Sequence, residues 1–372
     1  MNPFSYGSIV KGPYFYDRVP ECKRIVSTLS SGNNIVLFAP RRYGKTSLVF
    51  RVIEELEKMD TICVYFDFMP IYSRESFIEA YSKAILAKQS NLQRAVKSMA
   101  TWVKGIRPKI VFDQSGNPEF SLDFTDDILT EKTLEDILDL PEKLASGRKR
   151  FVIIFDEFQE INKLNGENFE KLLRSKIQQQ QYITYMFLGS RTHLLSDMFN
   201  NKARSFYNSA MMMQLDLLPE NETISFLRSR FALSNITIDE ADAAFLIEQA
   251  GNIPYYIQLL AAEVWQYLIA STKVLNTTII KECAEGIVDL KSDFYFELYD
   301  RQSPNQKKLL KSLLVSGENV FSADYTKRFR LSATSTTQKA LQGLVETGII
   351  EKTGGIYFIS DPFFKRFLSR YA

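Results

Sequence analysis

The run Ala39-Pro40-Arg41-Arg42-Tyr43-Gly44-Lys45-Thr46, with Ser47 behind it, combines residue types suited to cradling a polyphosphate. Seven of its eight positions fit the phosphate-loop pattern GxxxxGK[ST]; Ala39 stands where the first glycine is usual. The chemistry needs successive backbone N–H groups curled around an anion at the start of a helix. Gly44 permits the close backbone approach, Lys45 would reach the β- and γ-phosphate oxygens, and the Thr46 hydroxyl would ligate Mg²⁺. Alanine serves in the first slot provided its φ is negative. A lysine in the first helical turn opposes the helix dipole, and a bound anion relieves that opposition.

A second constellation lies about a hundred residues on. Phe151-Val152-Ile153-Ile154-Phe155 ends in Asp156-Glu157, an apolar run closed by two acids. A buried strand delivers its last side chains to the carboxyl edge of a sheet, where open α/β folds bind ligands. Asp156 would hold the Mg²⁺ shell through water, and Glu157 would polarise an attacking water as general base. The pair of constellations implies an enzyme that binds Mg·ATP and splits it to ADP and phosphate. Asp67, at the end of another strand, reads equally as a site carboxylate or a solvated one. Arg41 and Arg42 read either as a solvated loop pair or as groups facing phosphate or a partner.

These residues need elements to position them. Residues 34–39 form a short apolar run closed by Pro40, as expected of a strand buried on both faces. Leu48, Val49, Val52, Ile53 and Leu56 then recur at helical spacing. Further strands are expected at 61–68, 150–158 and 181–190, with helices at 131–146, 166–179 and 192–200. The alternation predicts a P-loop core built on an open parallel sheet with helices on both faces, over residues 1–217. A β-hairpin insertion interrupts it near 108–125, its turn at Gly116–Asn117. From Pro219 the pattern is helical throughout (219–232, 238–249, 253–270, 277–299), which predicts a separate helical domain over 218–299, the one in which the resemblance stated below places a lid. Residues 300–372 carry three short helices and a hairpin about Gly354–Gly355, the order of a winged helix-turn-helix.

Composition excludes other classes. With 46 basic and 44 acidic side chains the net charge is +2, so the chain is no polybasic protein. Its 45% hydrophobic content fills real cores. Cys22, Cys63 and Cys283 form neither a CxxC nor an even-numbered framework, so neither disulfides nor zinc are expected. The single histidine, His193, leaves a Ser-His-Asp triad or a His-based metal site little to work with. No apolar run approaches a membrane span, and no signal peptide is read at the start.

Taken with FYDR (15–18), PRRYGKTSL (40–48), FDEFQEI (155–161), GSRTHLL (189–195), ARSFYNSA (203–210) and GNIPYYIQ (251–258), the chain resembles the archaeal-type ATPase family over nearly its whole length. That family belongs to the STAND/AAA+ side of the P-loop NTPases and is related to the origin-recognition ATPases. The resemblance implies that Ser190 is the sensor-1 polar group, contacting γ-phosphate or the lytic water. It implies that Arg204 is an arginine finger acting in cis or from a neighbouring subunit, with Arg191 a second candidate. On the residues alone, Arg204 reads as well as an ordinary exposed arginine. The segment Phe4 to Arg18 would pack beside the adenine. Gly251-Asn252-Ile253-Pro254 matches the start of the sensor-2 lid helix, with Pro254 at the nucleotide. Tyr255 and Tyr256 follow where the family carries an arginine. Family and free thiols together imply a cytoplasmic protein.

Residues 296–372 contain 12 Lys/Arg against 7 Asp/Glu, a net +5 that leaves −3 for the rest. Lys327, Arg328 and Arg330 precede the expected recognition helix, Lys352 sits at the wing, and Lys365, Arg366 and Arg370 lie beyond. Ser335, Thr336, Gln338, Lys339 and Gln342 can hydrogen-bond phosphates or bases. Two readings stay open. In one, the nucleotide state controls how the winged helix engages DNA or a partner, homo-oligomers included. In the other, the chain is a slow-turnover signalling switch acting through protein contacts without DNA.

Overall fold

The computed structural model describes residues 2–10, 12–89, 92–103, 106–112, 118–124, 131–145, 150–164, 166–271 and 273–371. They form two compact units: Arg18–Asp216, and Leu217–Ala372 together with Met1–Asp17.

The first unit is a five-stranded parallel sheet. Its strands are β1 (Ile35–Phe38), β2 (Ile62–Asp67), β5 (Phe151–Asp156), β6 (Ile183–Gly189) and β7 (Met211–Gln214); the antiparallel hairpin of β3 (Ile106–Phe112) and β4 (Pro118–Phe124) is inserted after β2. The strand order is β2-β5-β6-β1-β7, with all neighbours parallel. β6 therefore stands between the strand that leads to Lys45 and the strand that ends in Asp156. Every residue of β5 and β6 is buried, as expected for parallel strands covered on both faces. The core is unusually aromatic. Phe66, Phe68, Phe77, Phe155, Phe158, Phe187, Phe199 and Phe206 pack edge-to-face or offset, arrangements favoured by the ring quadrupoles.

Several elements differ from the sequence reading. The helix expected at 131–146 is two, Glu131–Leu138 and Leu140–Ala145. β7 and the helices Val19–Ser30, Arg74–Leu86 and Leu92–Trp102 were not foreseen. The expected turn at Gly116–Asn117 lies outside the described residues.

The second unit begins with helices Glu220–Ala232, Glu240–Gln249, Pro254–Ala270 and Thr277–Leu290. The last was expected to run to 299, but it stops at Lys291 and a separate helix, Ser292–Asp300, follows. The N-terminal segment packs here. Phe4 lies against Phe226 and Phe231, Tyr16 stacks on Phe226, and Arg230 Nε donates to the Pro3 carbonyl at 2.7 Å. Helices Pro304–Leu313, Ala323–Arg328 and Thr334–Glu346 then precede the hairpin of β8 (Ile350–Thr353) and β9 (Ile356–Ile359), paired antiparallel about Gly354–Gly355. This is the winged helix. A terminal helix, Pro362–Tyr371, follows it. Among the described residues, no helix is long and apolar enough to cross a membrane.

Candidate nucleotide site

The loop after β1 turns sharply into the helix Lys45–Glu57. Arg42 and Gly44 adopt left-handed backbone (φ 71° and 81°), while Ala39 does not, so alanine is tolerated in the first slot. Pro40 and Tyr43 are buried; Arg41 and Arg42 are exposed. No side chain caps the helix, and its first turn holds no acid. Its amino end thus keeps the dipole and N–H groups that favour an anion.

Lys45 is 7% exposed. Its Nζ stands 3.4 Å from Asp156 Oδ1 and 3.6 Å from Glu157 Oε1, yet makes no hydrogen bond. A buried ammonium without a hydrogen-bond acceptor is costly, and phosphate oxygens would satisfy it. Thr46 and Ser47 follow half-buried in the first turn.

Asp156 is held from two sides. Tyr65, on neighbouring β2, donates its phenolic hydrogen to Oδ2, and the Glu157 backbone N–H donates to Oδ1 at 2.8 Å. Burial and the adjacent Asp156 push the Tyr65 phenol far up, so it remains a donor. Glu157 adopts a left-handed backbone (φ 48°) where β5 gives way to the 3₁₀ helix Phe158–Lys163. For a residue with a Cβ that conformation costs about 1–2 kcal/mol. Glu157 Oε2 accepts from Ser190 Oγ at 2.9 Å, from the Ser190 backbone N–H at 3.3 Å, and from Gln159 Nε2 at 2.5 Å. Burial opposes ionisation of Glu157, but Lys45 and these donors outweigh it and lower its carboxyl below the ordinary range. Asp67 pairs in register with Asp156. Burial, and then its neighbours Asp156 and Glu157, raise its carboxyl against one backbone hydrogen bond from Met69.

The sheet thus brings Lys45, Asp156, Glu157 and Ser190 together from the ends of three strands. Arg204 is held by a different set of partners. Its guanidinium engages the fully buried Glu170, with Asp197 at 3.3 Å and Asn162 at 3.5 Å. Arg191 lies 3.8 Å from Glu160. Pro254 opens the helix Pro254–Ala270 in the other unit. Tyr65 and Gln159 were not singled out in the sequence, where one reads as a strand aromatic and the other as a loop polar residue.

Among the described residues no group of three or more His, Cys, Asp or Glu could hold a metal ion. Mg²⁺ fits such a site, since it keeps several waters and binds one or two protein oxygens plus substrate phosphates.

A parallel sheet of this order with a lysine-bearing loop after its first strand and paired acids at a strand end defines a P-loop ATPase fold. A family model described as an ATPase domain predominantly from Archaea matches residues 15–260. The chain belongs to that family. A second model, described as a probable winged helix domain, matches residues 293–370. Among solved structures, the chain is similar to a Walker-type ATPase of Pyrococcus abyssi at 17% identity and a TM-score of 0.67, covering 99% of each chain. It is also similar to the ORC2 protein of Aeropyrum pernix in ADPNP–ADP complexes (14%, TM-score 0.55, 99% and 98% covered). The ORC1 protein of the same organism in complex with DNA is a third neighbour (11%, TM-score 0.51, 97% and 94% covered). At these identities the likeness concerns the fold. No curated protein sequence matches the chain.

Proposed function

We propose that the chain binds Mg·ATP at the Lys45 loop and hydrolyses it, and that nucleotide state controls a winged-helix module that engages DNA. The observation that carries the first part is the Lys45 ammonium, buried beside two carboxylates at an uncapped helix start and without a hydrogen-bond acceptor. Backbone groups of the loop and Lys45 would hold the β- and γ-phosphates. Thr46 and Asp156 would hold Mg²⁺, which when bound would neutralise charge developing on the transferred phosphoryl group. Glu157 takes the proton of the attacking water, and its lowered carboxyl keeps it ionised and ready to accept. Ser190 fixes the orientation of Glu157 through Oε2, which leaves Oε1, on the Lys45 side, to face the water.

The DNA reading rests on one helix face. Ser335, Thr336, Gln338, Lys339 and Gln342 are all exposed on Thr334–Glu346, while Thr337, Ala340, Leu341 and Leu344 of the same helix are buried. Lys327, Arg328, Arg330 and Lys352 are exposed as well. Arg366 and Arg370 are committed instead to Glu285 and Asp289 of Thr277–Leu290. The structure of the ORC1 neighbour holds DNA.

Glu157→Gln tests the chemistry. ATP affinity should be kept while phosphate release falls by about 10²–10⁴-fold, the contribution of a positioned base. Turnover retained in this variant would assign the base elsewhere. A wild-type chain that binds ATP tightly, turns over slowly and ignores DNA at low salt would favour the signalling-switch reading.

A further inference from the structure

Gln159 is 3% exposed, and its amide lies wedged between Glu157 and the end of β6. Nε2 donates to Glu157 Oε2 at 2.5 Å, the same oxygen that Ser190 Oγ holds at 2.9 Å. The carboxylate fixes which way round the amide stands, because the reverse orientation would set two acceptors face to face. The other amide atom, Oε1, rests against the backbone at Gly189. A Cβ at position 189 would come 2.2 Å from Gln159 Oε1 and 2.5 Å from Leu195 Cδ1. Leu195 is itself fully buried in the core, so a side chain at position 189 would displace Gln159, Leu195 or both. The glycine at the end of β6 leaves the space that Gln159 occupies.

We propose that Gln159 is a positioning residue for the general base, and that Gly189 is the notch that seats it. Gln159 acts through the carboxylate of Glu157. The left-handed backbone of Glu157 frees the carboxylate from the line of the strand, and two side chains then fix its rotamer, Ser190 just after β6 and Gln159 from the 3₁₀ helix. This inference rests on Glu157 being the base, so its test keeps the two questions apart.

Gln159→Leu and Gly189→Ala are measured side by side with wild type for ATP hydrolysis and for affinity toward a non-hydrolysable ATP analogue. Both variants should lower kcat by about tenfold, a fraction of the full base effect, and leave KM and analogue affinity within about twofold. The double variant should be no worse than either single one, as for two changes that break one contact. Each should be without further effect on a Glu157→Gln background. A nucleotide-free readout stands beside these. The side-chain amide resonances of Gln159, identified by their loss in Gln159→Leu, should shift in both Glu157→Gln and Gly189→Ala. Wild-type kcat in Gln159→Leu, additive losses in the double variant, or unmoved amide resonances would overturn the proposal. A wild-type chain that releases no phosphate would instead remove the hydrolytic reading and leave the amide resonances to judge the contact alone.

Discussion

Tyr65 and Asp156 face one another across neighbouring parallel strands, and the phenol of the first donates to the carboxylate of the second. Asp67, not Tyr65, is the register partner of Asp156, so the bond runs diagonally and turns the carboxylate along the sheet edge. A hydrogen bond to a charged group contributes about 1.5–3 kcal/mol. Tyr65→Phe keeps the ring, which packs 5.2 Å from Phe50, and removes only that bond. It should lower stability by about 1.5–3 kcal/mol in urea denaturation and raise the Mg²⁺ concentration needed for half-maximal turnover. An unchanged Mg²⁺ requirement would mean that Asp156 does not hold the metal.

Arg204 is tied to a carboxylate that has no exposure to solvent. Removing the half-buried Arg204 leaves the buried Glu170 charge uncompensated, at a cost of up to about 3–5 kcal/mol. Burial already raises the Glu170 carboxyl, and Arg204 works against that rise. In Arg204→Ala the carboxyl climbs further, so the penalty is full at pH 8 and shrinks as pH falls through the raised folded value toward the ordinary carboxylate range. The melting temperature of Arg204→Ala should therefore recover toward wild type on acidification, and Arg204→Ala/Glu170→Gln should recover it at neutral pH. A finger acting only on nucleotide would lose turnover without this pattern.

The proposed DNA engagement would carry a salt signature. Each contact contributes a slope of about −0.9 to log K against log salt. Lys352→Ala and Arg328→Ala should each weaken DNA binding and flatten the slope by about one unit. Arg370→Ala, whose partner is Asp289, should leave the slope unchanged. No binding at low salt would turn the module toward protein partners.

Much of this architecture is legible in the chain, and the reasons can be named. IVLF, FVIIFD and ITYMFLG announce buried parallel strands because both their faces are apolar. Gly44-Lys45-Thr46 announces the helix start. β7 escapes because MMMQ is four residues on a sheet edge with only Met213 buried. The break at Lys291 escapes because apolar spacing continues across it into Tyr295. Tyr65 and Gln159 could not be read, since their roles exist only once β2, β6 and the left-handed Glu157 are assembled. The pairing of Arg204 with Glu170 is likewise a contact between distant segments, which spacing does not encode.

In the proposed function the loop after β1 holds a triphosphate through Lys45. Titration calorimetry of Mg²⁺ with a non-hydrolysable ATP analogue tests it on wild type and Lys45→Ala. Wild type should bind saturably at one site per chain, and the variant should lose about ten- to a hundredfold in affinity, as expected when a charged hydrogen-bonding partner of the phosphates is removed. Equal affinity in the two proteins would contradict the account.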